Sequence, residues 1–152
     1  MVYIQVYYLQ SQEHAMSLSM LPDAIQRERE NMLQSGVETL KTMGNAEFAV
    51  HDLAGFREPD ELAIPILNIH MQPDIRAKQP GTGGETLALV EVSSDLGEES
   101  CGRRWQALEA WAQQHDAQVM VFVHPEDQAR AQEIARAWHV PTAYIVSLPR
   151  LH

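Results

Sequence analysis

The chain has 152 residues, of which 45% are hydrophobic and 21% charged, a length and composition typical of one globular domain. Its formal charge of −10 argues against broad, sequence-independent binding to nucleic acid, which depends on Lys and Arg side chains that neutralise phosphates. The single Cys101 excludes an intramolecular disulfide framework and suits a reducing compartment. No apolar run approaches the roughly 20 residues of a membrane span, so a cytoplasmic protein without membrane contacts is expected.

Residues 1–20 are expected to be an N-terminal extension or an extra strand, because MVYIQVYYL alternates like a strand and lacks the basic region of a secretory signal. Residues 21–152 are predicted to form a single domain, since no repeat, low-complexity tract or linker interrupts them. A helix is predicted to open at Leu21-Pro22-Asp23, because Pro is tolerated in a first turn and an early acid suits the helix dipole. It is predicted to end at Gly44-Asn45.

Two strands are predicted next, over residues 47–53 and 64–76. Pro65 and Pro73 place the second of these at a sheet edge or interrupt it, because neither residue can donate a hydrogen bond to a neighbouring strand. Residues 79–85 (QPGTGGE) are predicted to be a hairpin connection, since they lack the Lys-Ser/Thr of a phosphate-binding loop and no helix follows them.

The clearest strand, over residues 86–93, is apolar on both faces and is therefore predicted to be buried and central. The remaining elements follow as a helix over residues 98–115, a strand over 119–123, a helix from Pro125 and a strand over 142–148. The predicted order is αβββαβαβ. Because the first strands are joined by a hairpin and the later ones by helical crossovers, the fold class is α/β, with a mixed central sheet flanked by helices on both faces.

Two carboxylates stand out against this scaffold. Asp74 lies near the end of one predicted strand and Glu91 lies within the next, so the hairpin would bring them side by side. Neighbouring carboxylates form a simple binding site for a hard divalent cation, because their oxygens are its preferred ligands. Structural roles compete with this interpretation: Pro73-Asp74 is also a turn signal, and a buried Glu91 needs a cation or several donors, which a nearby arginine supplies equally well.

The arrangement of Pro73-Asp74 and Glu91-Val92-Ser93 on consecutive strands, followed by a helix, resembles the PD-(D/E)xK nuclease superfamily. Many restriction endonucleases and Holliday-junction resolvases belong to it. The resemblance covers roughly residues 21–148 and implies a restriction-endonuclease-like fold that cleaves DNA phosphodiester bonds. It also implies Mg²⁺, or Mn²⁺, held by Asp74 and Glu91. Many members add an acid from the first helix, for which Glu28 or Glu30 is the candidate.

Ser93 stands where the family has a lysine that positions the attacking water, and a serine cannot supply that charge. Losing one preorganised electrostatic donor commonly costs about 10²–10³ in rate. One hypothesis is that another cation replaces the lysine: Lys78, Arg76, Arg103 and Arg104 flank the hairpin and are the candidates for that role and for binding substrate. The alternative is a catalytically degenerate domain that binds nucleic acid or protein, and the acidic charge favours a protein partner such as a second copy of the chain.

A third hypothesis is a doubly wound domain unrelated to nucleases. Its small-molecule ligand would lie at the carboxyl ends of the strands, near Ser93, Ser94 and His124, because open α/β sheets bind ligands at that edge.

Overall fold

The computed structural model describes residues 20–149 of the chain. The α-helices in this range are α1 (Met20–Thr42), α2 (Glu98–Gln113) and α3 (Gln128–Ala137). The strands are β1 (Ala46–Val50), β2 (Leu62–Ile64), β3 (Ile69–Met71), β4 (Ile75–Lys78), β5 (Glu85–Val90), β6 (Ala117–Val123) and β7 (Ile145–Ser147). None of the helices described is long and apolar enough to cross a membrane. The prediction made for residues 1–20 lies outside the described residues, except for Met20, which is the first residue of α1.

Five strands form one mixed sheet in the order β1-β4-β5-β6-β7. The pairs β1–β4 and β4–β5 are antiparallel, whereas β5–β6 and β6–β7 are parallel. Residues 79–84 connect β4 to β5, and Gly81 and Gly83 supply the positive φ angles of 71° and 81° in this turn. The prediction of a buried central strand is confirmed, because β5 occupies the middle of the sheet.

Helices cover both faces of the sheet, as predicted. Helices α2 and α3 pack on one face, where the fully buried Trp105 and Leu108 lie against Leu87 and Val121. Helix α1 covers the other face, where its buried apolar positions repeat every three or four residues, as helical geometry requires. These positions are Met32, Leu33, Val37 and Leu40, which pack with Ile75, Val90 and Phe122.

The prediction of a single strand over residues 64–76 is wrong. Strands β2 and β3 form a separate two-stranded hairpin in which Ile64 pairs with Ile69, and only β4 joins the main sheet. Pro65 begins a 3-10 turn, after which Asn68 adopts a left-handed conformation with φ of 53°. Pro73 separates β3 from β4, so the interruption follows from the two prolines. Strand β4 then lies between β1 and β5, not at an edge.

The strand predicted over residues 86–93 ends earlier than expected. Strand β5 stops at Val90, and Ser93–Asp95 form a 3-10 turn. Glu91 therefore lies just beyond the strand, although its N–H still donates to the carbonyl of Phe122 in β6 at 2.9 Å. The element order differs from αβββαβαβ by the extra short hairpin.

Candidate functional site

The candidate site lies at the edge of the main sheet that is formed by the ends of its strands, not beside an outermost strand. Strands β1, β5, β6 and β7 run in one direction and β4 runs in the other. The carboxyl ends of the four strands therefore meet the amino end of β4 at this edge. Asp74 directly precedes β4, Glu91 directly follows β5 and His124 directly follows β6. The sheet thus brings together residues that are far apart in the sequence.

Asp74 is held from two sides. Its Oδ2 accepts a hydrogen bond from the Val90 N–H at 2.9 Å, and its Oδ1 forms an ion pair with the Arg29 guanidinium of α1. The Asp74 side chain is only 12% exposed. Both carboxylate oxygens therefore have protein donors, one from the strand paired with β4 and one from the helix above the sheet.

Glu91 is the most deeply buried acid among the described residues, with 2% of its side chain exposed. Its Oε2 accepts a hydrogen bond from Trp105 Nε1 at 2.9 Å and pairs with the Arg104 guanidinium, both from α2. Burial raises the pKa of the Glu91 carboxyl, and the charge of Asp74 adds to the increase, although Arg104 and Trp105 oppose it. The carboxylate is thus ionised at a cost that its donors offset only in part.

The structure brings Asp74, Glu91 and Arg104 together, as the sequence suggested. Asp74 precedes β4 and Glu91 follows β5, so the two acids lie at the same end of this antiparallel pair, where the charge of Asp74 contributes to the raised pKa of Glu91. Arg29 was missed by the sequence analysis. The only signal for it was the charged run at residues 27–30, and that run does not reveal which side chain reaches over the sheet edge.

The other predicted site residues on β4 lie away from the acids. Lys78 is at the opposite end of β4, where it pairs with Glu85 and Ala46 in the sheet register. Arg76 donates through Nη2 to Glu85 Oε1 at 2.9 Å, and its guanidinium lies 5.5 Å from the centre of the Trp111 ring. Neither cation replaces the missing lysine in this structure, because each is held closer to the far end of the strand.

Ser93 and the remaining candidates also have other partners. Ser93 Oγ hydrogen-bonds to Asp127 and its side chain is exposed, so it does not face Glu91. Glu30 accepts a hydrogen bond from Gln26 on the same helix, and Arg103 pairs with Glu99 one helical turn earlier. Glu28, the other acid proposed from the first helix, pairs with His124.

The donor set at the edge does not fit a divalent cation as it is arranged. Both oxygens of Asp74 and one oxygen of Glu91 already accept hydrogen bonds from the protein. Within residues 20–149, no three His, Cys, Asp or Glu side chains are grouped so that they could hold a metal ion. Hard cations such as Mg²⁺ need several free oxygen ligands, and here two guanidinium groups supply the compensating charge instead.

Comparison with known proteins yields no relative: no family model, no curated protein and no solved structure matches this chain. The resemblance to the nuclease superfamily therefore stays a prediction from the sequence.

Proposed function

We propose that this chain is a catalytically degenerate, restriction-endonuclease-like domain that acts by binding a protein partner. The observation that carries the proposal is that both acids of the expected metal pair are engaged by arginines, Asp74 by Arg29 and Glu91 by Arg104. The mixed five-stranded sheet with helices on both faces supports the nuclease-like part of the proposal.

The energetics favour a stable pairing over a vacant metal site. A cation entering between Asp74 and Glu91 would have to displace both guanidinium groups. The ion would compensate the carboxylates, but it would leave Arg29, whose side chain is only 23% exposed, without its acid. Ser93 adds no positive charge to the site, since its side chain is a neutral hydroxyl, which donates a hydrogen bond to Asp127.

The surface and the charge of the chain support a protein partner over a nucleic acid. The large apolar side chains that are most exposed in the described range are concentrated in the β2–β3 hairpin: Ile66 is 79% exposed, and Leu67 and Ile69 are also exposed. Exposed apolar patches of this kind mark interaction sites, whereas a net charge of −10 repels phosphate backbones.

The proposal predicts that the purified chain neither cleaves DNA nor binds Mg²⁺ or Mn²⁺. Linear duplex, branched and single-stranded DNA should remain intact with either ion in gel assays, and titration calorimetry with either ion should give no binding heat. Cleavage that disappears in both Asp74→Asn and Glu91→Gln, with unchanged circular dichroism, would contradict the degenerate assignment.

The partner surface has its own test, for which a second copy of the chain is the first candidate. Sedimentation equilibrium of the wild-type chain should show a concentration-dependent dimer, and Ile66→Ser with Leu67→Ser should abolish it. Met43→Ser is the matched control, because Met43 is an exposed apolar residue just after α1 and outside the hairpin. A dimer that persists in the Ile66→Ser, Leu67→Ser variant would remove the hairpin from the interface, and a wild-type monomer would direct the search to a different protein.

A metal-dependent nuclease is the second candidate, because the raised pKa of Glu91 is of the kind found at catalytic sites. The side chain of Arg104 is 46% exposed, so it can move, and it is the cation best placed to replace the missing lysine. If the chain cleaves DNA, Arg104→Gln should lower the rate by about 10²–10³, as the loss of an electrostatic donor does. Arg103→Gln should leave the rate unchanged, because Arg103 pairs with Glu99 away from Glu91.

A further inference from the structure

A cavity of about 570 Å³ lies beside the acid pair, between the first half of α1 and the segments that follow β5, β6 and β7. Its walls are formed by ten residues: Ala24, Arg27, Glu28, Asn31, Met32, Ser35, Ser93, His124, Leu148 and Pro149. Small-molecule sites typically occupy about 300–1,000 Å³, so this cavity is large enough for a metabolite-sized molecule.

The position of the cavity in the fold is one that ligands commonly use. Ser93, His124 and Leu148 follow three neighbouring parallel strands, so the cavity lies outside the carboxyl ends of these strands. Open α/β sheets bind ligands at this edge, because the strand ends and the helix above them enclose a crevice.

The α1 wall of the cavity carries polar groups without partners. The side chain of Arg27, an exposed residue, forms no hydrogen bond or ion pair with another residue in the range 20–149, unlike the side chains of Arg29, Arg76, Arg103 and Arg104. The side chain of Asn31, one turn later on the same helix face, likewise has no partner within that range. The Arg27 guanidinium and the Asn31 amide can both donate hydrogen bonds to one anionic oxygen group, such as a carboxylate or a phosphate.

The opposite wall is fixed and partly apolar. His124, whose side chain is 7% exposed, hydrogen-bonds through Nε2 to Glu28 Oε2. Ser93 is held by Asp127. The floor of the cavity is apolar and closed by two buried side chains, Met32 of α1 and Leu148 after β7. The cavity wall thus carries two charged side chains, Arg27, which has no partner among residues 20–149, and Glu28, which hydrogen-bonds to His124.

We infer that this cavity binds a small organic anion, with its carboxylate or phosphate group on Arg27 and Asn31 and its apolar body against Met32 and Leu148. This site is separate from the Asp74–Glu91 pair and does not depend on whether the domain cleaves DNA or binds a protein.

The test uses the full chain and two anions, each with an uncharged analogue of the same body. Adenosine 5′-monophosphate is compared with adenosine, and hexanoate is compared with hexanamide, by calorimetry and by NMR shifts of the cavity residues. At least one anion is expected to bind at concentrations up to about 10 mM, and more tightly than its uncharged analogue. Binding by only the phosphate or only the carboxylate identifies which group the site takes.

Arg27→Gln should weaken that binding about tenfold or more, because it removes a charge-assisted hydrogen bond without touching the core. Arg103→Gln is the control, since it removes an arginine outside the cavity and should not change the affinity. The inference is overturned if neither anion binds, if the uncharged analogues bind equally well, or if Arg27→Gln and Arg103→Gln have the same effect.

Discussion

The two carboxylates at the sheet edge are satisfied in different ways. Asp74 accepts from a backbone N–H and from Arg29, one donor on each oxygen. Glu91 accepts both of its donors on one oxygen and is almost completely buried. Neutralising these two acids should therefore have opposite effects on stability.

Glu91→Gln is expected to raise the free energy of unfolding at neutral pH by about 1 kcal/mol, since the amide avoids the cost of a buried charge and still accepts from Trp105. Below the ordinary carboxyl value of 4.5, Glu91 is protonated in the folded and unfolded chain, so the charge costs nothing there. The cost appears as the pH rises through the raised pKa of the folded state. Urea denaturation from pH 4 to pH 8 should show the difference between variant and wild type growing with pH.

The control for that series is Glu38→Gln, an exposed position on α1, which should give no such growing difference. If Glu91→Gln instead loses stability relative to the wild type as the pH rises, the ion pair with Arg104 outweighs the cost of burial. The upward direction of the Glu91 pKa shift is then wrong.

Asp74→Asn is expected to lower the free energy of unfolding by about 1–3 kcal/mol, because an amide offers one acceptor where two donors converge. Arg29→Met should be less than additive with it, since both variants break the same ion pair. Thermal unfolding of the two single variants and the double variant measures this coupling. Asp52→Asn is the control, because among residues 20–149 the exposed Asp52 carboxylate accepts a hydrogen bond only from Gln26. Strict additivity would mean that the Arg29–Asp74 pair contributes nothing.

At the residue scale, the sequence identified Asp74, Glu91 and Arg104 because strand parity and the following helix limit where these side chains can lie. It named a Glu91–arginine pair as one of two outcomes but could not choose between that pair and a metal. The sequence could not identify Arg29 as the partner of Asp74. Periodicity assigns a residue to a helix face, whereas a long side chain at the border of a face reaches partners that only the tertiary packing determines.

At the scale of elements, the contact between α2 and α3 depends on a glycine. A Cβ at Gly102 would lie 2.4 Å from three ring atoms of Trp138, closer than any real contact allows. Gly102→Ala should therefore lower the free energy of unfolding by about 1–3 kcal/mol, despite the better helix propensity of alanine. Chemical denaturation measures the loss.

Gly97→Ala is the matched control for Gly102→Ala. Its Cβ would meet only the hydroxyl oxygen of Ser100 at 3.1 Å, and its φ of −130° suits any residue. Equal losses in the two variants would show that the ring of Trp138 moves aside and that α2 and α3 do not require close approach at this point.

The long helices and the central strand followed from the sequence because their apolar periodicity extends over many residues. The β2–β3 hairpin did not. Its strands contain three residues each, and such short segments carry too little alternation to be separated from the strand that follows. Pro65 and Pro73 marked the breaks correctly, but a proline signals an interruption without showing where the chain goes next.

At the scale of the whole molecule, the acidic charge sets the expected behaviour toward nucleic acid. Within residues 20–149, five of the eleven Lys and Arg residues of the chain form ion pairs with its own acids: Arg29, Lys41, Arg76, Arg103 and Arg104. They are therefore poorly available to phosphates.

Fluorescence anisotropy with a short labelled DNA duplex should give a dissociation constant weaker than about 10⁻⁴ M at physiological salt. Removing the pairing acid Glu99 by Glu99→Gln frees Arg103 and should tighten the binding only slightly, since one phosphate contact is gained at most. Tight binding by the wild-type chain, with a steep decrease as salt is added, would mean that the arginines leave their acids to bind DNA.

Two consecutive residues fasten α1 to the sheet edge: Glu28 bonds to His124 after β6, and Arg29 bonds to Asp74 before β4. Because neighbouring residues project in different directions around a helix, these two bonds together restrain rotation of α1 about its own axis. Glu28 also lines the cavity, so a ligand there meets the same turn of α1 that holds Asp74. If the ligand shifts that turn, its affinity and the affinity of whatever engages Asp74 are coupled, and the coupling is reciprocal.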